Sequence, residues 1–145
     1  MKHKGSTSDF ISQRNRDLFI AYRKLISESK HVDTDKLYEE LVNLPSARFW
    51  VSEERAAIVL SDMIKKGVKP HVGRCRMVMF KELCKRAVKI KQKHPELSMY
   101  DVACKVVNQK APKFYLTAGT ARIIIHYEIK KWYEEKKKRL RFMFQ

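Results

Sequence analysis

Lys81, Lys85 and Lys89 recur at every fourth residue, with Arg86 and Lys93 close by. Residues four apart share one face of a helix, so the three ammonium groups form a stripe opposite the apolar row Phe80, Leu83, Ala87 and Ile90. A row of cations on a solvated face neutralises closely spaced anions, which is the chemistry of tracking a phosphate backbone. Arg74 and Arg76 precede the stripe, and Lys130 and Lys131 follow later. A second group stands around the start of another helix. There Lys113 offers a cation to phosphate, while Thr117, Thr120 and Arg122 offer hydroxyls and a guanidinium to base edges. Gly119 lets a backbone approach closely. Apart from Lys93 and Gly119, these residues, twelve in all, form the predicted nucleic-acid-binding set. Ser52 and Thr117 fit equally well as plain helix N-caps.

Two aromatic pairs, Phe49-Trp50 and Phe114-Tyr115, each follow a basic residue, Arg48 or Lys113. Exposed aromatics beside cations can stack single-stranded bases. Phenylalanines in a turn between helices are more simply core plugs, and Phe49 and Phe114 are assigned so. Trp50 and Tyr115, with their polar tips, fit either role.

Catalytic chemistry has little to stand on. The chain holds no HExxH, GxSxG, P-loop or GxGxxG pattern. His71, Cys75, Cys84 and His94 make a zinc set only on paper, because the two cysteines lie on one helix more than two turns apart. No enzyme activity, cofactor or metal is expected.

The net charge of +16 is unevenly spread along the sequence. Residues 1–72 carry 13 Lys+Arg against 10 Asp+Glu, and residues 73–145 carry 19 against 6. A basic half of this size points to a polyanion, with duplex DNA favoured and a regulatory or DNA-architectural role expected. The alternatives are a protein-interaction or virion component meeting an acidic partner, then RNA binding without an RNP motif or GXXG loop. Three unpaired cysteines, no apolar leader and no run of 18 apolar residues read as a cytoplasmic chain without a membrane span. It would be nucleoid-associated if it binds DNA, or packaged in a virion. Oligomeric state stays open.

The elements that must position these residues are helical. Only 4 Gly and 4 Pro interrupt 145 residues, and apolar residues recur at helical spacing throughout. Helices are predicted from about Asp9 to Ser29, after Asp33-Thr-Asp35, from Ser52 to Gly67, from Arg74 to about Lys93, after Ser98 and from Thr117 onward. The third carries Ala56, Ile58, Val59, Met63 and Ile64 on its buried side, and the last runs through Ile123, Ile124, Tyr127 and Trp132.

The pattern also repeats. At a shift of 65 residues, Val42, Asn43, Phe49, Ala56, Ile58, Ile64, Lys65 and Lys66 meet identical residues, and Lys24 meets Lys89. A repeat of this length is expected to be one small fold performed twice. The fold class is therefore all-α, with two tandem three-helix, helix-turn-helix-like repeats packed together and a long C-terminal helix. The expected divisions are a flexible N-terminus (1–9), a first repeat (10–72), a second repeat (73–135) and a basic, apolar tail (136–145). The phrase Ala47-Arg-Phe-Trp-Val-Ser-Glu-Glu-Arg-Ala56, echoed by Pro112-Lys-Phe-Tyr-Leu-Thr117, resembles a motif of small basic proteins from gut Bacteroidetes and their phages or mobile elements. The likeness covers roughly residues 14–131 and brings no site residues with it.

Overall fold

Side-chain oxygens set the starts of four helices in this computed structural model, which describes residues 4–29 and 33–144. Asp33 accepts from the Asp35 N–H (3.3 Å) ahead of α2 (Thr34–Val42), and Ser52 from the Arg55 N–H (3.1 Å) ahead of α3 (Glu53–Ser61). Ser98 accepts from the Asp101 N–H (3.2 Å) ahead of α5 (Met99–Val107), and Thr117 from the Thr120 N–H (3.1 Å) ahead of α6 (Ala118–Met143). Each bond satisfies a backbone donor that the first helical turn leaves orphaned. The other two helices are α1 (Lys4–Glu28) and α4 (Arg74–Lys93). At the far ends of α2 and α5, Asn43 and Asn108 donate their side-chain amides to the carbonyls of Glu39 (2.9 Å) and Cys104 (2.7 Å). One π-helical turn, Asp62–Lys66, continues α3 until Gly67 adopts a left-handed φ of 65° and ends it.

The fold is all-α with a long C-terminal helix, as the sequence implies. Among the described residues no helix is long and apolar enough to cross a membrane. The grouping of the helices differs from the expected one. Helices α1 and α2 pack on α6, burying Leu18, Tyr38, Leu41, Val42, Phe114, Ile124 and Ile125. Helices α4 and α5 pack on α3, burying Phe49, Leu60, Phe80, Leu83, Val102 and Val106 among others. The third helix of each expected unit thus completes the core of the other. A compact helix-turn-helix of α4, α5 and α6 is not formed.

The crossing happens where the two connecting segments meet. Ser46 and Ala111 form an antiparallel bridge, the Ser46 N–H donating to the Ala111 carbonyl (3.0 Å) and the Ala111 N–H to the Ser46 carbonyl (2.9 Å). On one side the Phe49 N–H donates to the Val107 carbonyl (3.0 Å), and on the other the Phe114 N–H donates to the Val42 carbonyl (2.9 Å). Residues 42 and 107, 46 and 111, and 49 and 114 are each 65 apart, so the junction has local twofold symmetry. Pro112 favours extended backbone at Ala111, which suits the bridge. Each segment, once across, inserts its phenylalanine into the other half's core.

Other differences are local. Helix α1 begins at Lys4, within the stretch expected to be flexible, whose first three residues lie outside the described ones. The tail expected from 136 continues α6 to Met143. Ile58, expected inside, is 57% exposed, and Ile123, its counterpart 65 residues on, is 60% exposed. The buried row on α3 is Ala56, Val59 and Leu60, and on α6 it is Ala121, Ile124 and Ile125, which turns both isoleucines, and Tyr127, toward solvent.

Candidate nucleic-acid interface

On α4 the basic stripe forms as its spacing requires. Lys81, Lys85 and Lys89 are exposed, while Phe80, Leu83 and Ala87 are buried behind them. Arg74 and Arg76 are exposed in the first turn of the same helix. Arg86 lies off this row and is occupied. Its Nε donates to Glu82 Oε1 (3.0 Å), and one terminal nitrogen donates to Gln109 Oε1 (3.2 Å) and the Lys110 carbonyl (3.0 Å). Its guanidinium carbon sits 4.9 Å from the centre of the Phe49 ring. Arg86 therefore ties α4 to the end of α5 and to the crossing segment.

The second group is divided as well. Thr117 and Thr120 are exposed, but their hydroxyls bond each other (2.9 Å) while Thr117 caps α6. Arg122 is exposed one turn on. Lys113 is half-buried with its Nζ 5.4 Å from the centre of the Tyr115 ring, and it lines a shallow cleft shared with Arg74, Val42 and Asn43. That cleft joins the two groups. Lys130 and Lys131 stand exposed where α6 leaves its core.

The aromatic pairs are structural. Phe49 and Phe114 are buried, and Tyr115 is buried with its ring stacked on Phe49. Burial raises the Tyr115 phenol above its ordinary pKa, Glu82 adds to the rise, and Arg86 opposes it. Trp50 is half-buried and donates its indole N–H to Ser46 Oγ (2.6 Å). The Arg48 guanidinium lies beside the Phe10 and Trp50 rings (5.2 and 5.6 Å), which meet edge-on at 5.5 Å; it donates to the carbonyls of Phe49 and Val51 and faces Glu53 at 3.6 Å. Glu53, which would repel DNA at the start of α3, thus has a cationic neighbour.

Spatial proximity adds cations that the sequence reading passed over. Burial depresses the Arg14 guanidinium from its ordinary pKa, and the neighbouring Arg76 charge adds to the effect. Arg76 in turn lines a cleft with Arg55, Ser52, Phe10 and Trp50. On α1, Arg16 and Lys24 are exposed, as are Lys65 and Lys66 at the end of the π turn. The signal for these four was the 65-residue shift itself, which sets them opposite Lys81, Lys89, Lys130 and Lys131.

The exchange of helices also redistributes charge. The chain from Ser46 to Ala111, which contributes α3, α4 and α5, holds 15 Lys+Arg and 6 Asp+Glu, a net +9. The remainder, with α1, α2 and α6, holds 17 and 10, a net +7. The imbalance between the sequence halves largely disappears in space. From Lys130 onward every described residue of α6 is exposed, including Leu140, Phe142, Met143 and Phe144, and Trp132 is flanked by Arg23 (5.6 Å) and Lys136 (5.0 Å). Among the described residues no group of three or more His, Cys, Asp or Glu side chains is placed to hold a metal ion. Comparisons with protein-family models, curated proteins and solved structures found no match to this chain.

Proposed function

We propose that the protein binds double-stranded DNA by neutralising backbone phosphates, in a regulatory or architectural role. The observation that carries this reading is the charge of the two helical groups, +9 and +7, on a chain whose exposed cations greatly outnumber its acids. Such a surface draws a polyanion from solution and holds it with strong salt dependence. The resemblance of the Ala47–Ala56 phrase to small basic proteins of gut Bacteroidetes and their phages or mobile elements is in keeping with such a role. Fluorescence anisotropy with duplex DNA, single-stranded DNA and RNA across a salt series tests it. Neutralising about six phosphates gives a log–log salt slope near −5 for the duplex. No duplex binding at low salt ends this reading, and stronger binding to RNA at matched salt replaces it with the RNA one.

The exposed apolar end of α6 favours a second reading, contact with an acidic protein partner. An interface built on Leu140, Phe142, Met143 and Phe144 would hold at about 0.5 M salt, where a phosphate-based complex is largely screened.

A further inference from the structure

We infer that the two helical groups bind one duplex together, as dyad-related halves of a single surface; this rests on the duplex-binding reading above. The reciprocal bonds of the Ser46–Ala111 junction define a twofold relation that carries residue n onto residue n + 65. The same offset links α2 to α5, the Ser52 cap to the Thr117 cap, and the Asn43 amide to the Asn108 amide. Two points related by a twofold axis lie at equal height along it, so whatever one group presents along that axis the other presents beside it.

Basic residues follow the relation. Arg16 and Lys81, Lys24 and Lys89, Lys65 and Lys130, and Lys66 and Lys131 are all exposed, and each pair is 65 apart. Because the third helices are exchanged, each group holds one complete quartet. Arg16, Lys24, Lys130 and Lys131 sit on packed helices α1 and α6, while Lys65, Lys66, Lys81 and Lys89 sit on α4 and on α3 with its π turn. Arg48 and Lys113 are a further basic pair, but both lie against aromatic rings.

A duplex backbone has twofold axes perpendicular to its length, and paired protein halves align with them. A single strand has none, and an acidic protein need have none. Two matched quartets therefore fit a duplex straddled at its dyad, with a backbone segment under each group. The binding surface is not confined to the sequence's basic second half: Arg16, Lys24, Lys65 and Lys66 count equally with their mates.

Three full-length variants test this. One carries Arg16→Gln, Lys24→Gln, Lys130→Gln and Lys131→Gln, and the second carries Lys65→Gln, Lys66→Gln, Lys81→Gln and Lys89→Gln. The third removes four exposed lysines without basic mates (Lys36, Lys93, Lys105 and Lys110, each to Gln), so that net charge is matched. With folding checked by circular dichroism, each quartet variant is expected to lose duplex affinity on the order of 100-fold at 0.1 M salt, with its salt slope shallower by about 3. The mate-less variant is expected to lose far less, and footprinting of the wild type is expected to show two protected backbone segments. The inference is overturned if only one quartet matters, if the mate-less variant loses as much, or if one segment is protected. Failure of the wild type to bind duplex at all would instead remove the reading on which the inference rests.

Discussion

Phe49 and Tyr115 stack at 5.8 Å with their planes 21° apart, each brought there by a different connecting segment. Tyr115 holds a left-handed φ of 56°, a conformation that costs a non-glycine residue about 1–3 kcal/mol and persists where packing fixes the side chain. Phe49→Ala should destabilise the fold by about 3–5 kcal/mol, as loss of a fully buried aromatic does. A double-mutant cycle with Tyr115→Ala should return a coupling of about 0.5–1.5 kcal/mol in urea titrations. Additive losses would mean that the stack carries no energy of its own.

Arg86 and Lys85 are neighbours with different work. Arg86→Ala removes bonds to Glu82, Gln109 and Lys110 and should cost about 1–3 kcal/mol of stability. Lys85→Ala, on the exposed stripe, should leave stability within about 0.5 kcal/mol and make the duplex salt slope shallower by about 1. Chemical denaturation and anisotropy on both variants check the division of roles.

The exchanged third helices give a test by dissection. A fragment of residues 1–72 contains α1 and α2 without α6, and α3 without α4 and α5, so it should lack a cooperative thermal transition. Mixing it with residues 73–145 at equal concentration should restore one, read by circular dichroism. Cooperative monomeric unfolding of either fragment alone would show that its third helix can turn back onto its own pair.

Ending the chain after Lys131 removes only exposed residues from the described part of α6, along with the Arg23 contact to Trp132. That contact is worth about 0.5–1 kcal/mol at an exposed site, so stability should fall by no more than about 1 kcal/mol. Urea denaturation of the shortened chain measures this.

Much of the helical plan was legible because its signals are local. Ser52, Ser98 and Thr117 announce helix starts through bonds to residues three away, and the apolar row of α4 is set by spacing alone. The exchange was illegible for a physical reason. Helices α3 and α6 present the same buried row to their partners, Ala56-Val59-Leu60 and Ala121-Ile124-Ile125, so the pattern fits either pairing. Which one forms depends on the Ser46–Ala111 bridge, a contact 65 residues apart that neither segment signals by itself. The candidate interface divides in the same way. The stripe of Lys81, Lys85 and Lys89 follows from helical geometry, whereas the occupation of Arg86 depends on Gln109, Lys110 and Phe49, all distant in sequence.

The crossing also sets the order in which the chain can finish folding. Helices α3, α4 and α5 follow one another along the chain, so most of their core, all but Ala111 and Tyr115, can close as soon as α5 has been made. Helices α1 and α2 must wait for Phe114, Ile124 and Ile125, which are synthesised after all of that. Until then Leu18, Leu41 and Val42 have no permanent cover, and closing the gap joins residues about a hundred positions apart, a slow step for a chain this short. On the ribosome, α1 and α2 are among the last elements to become native.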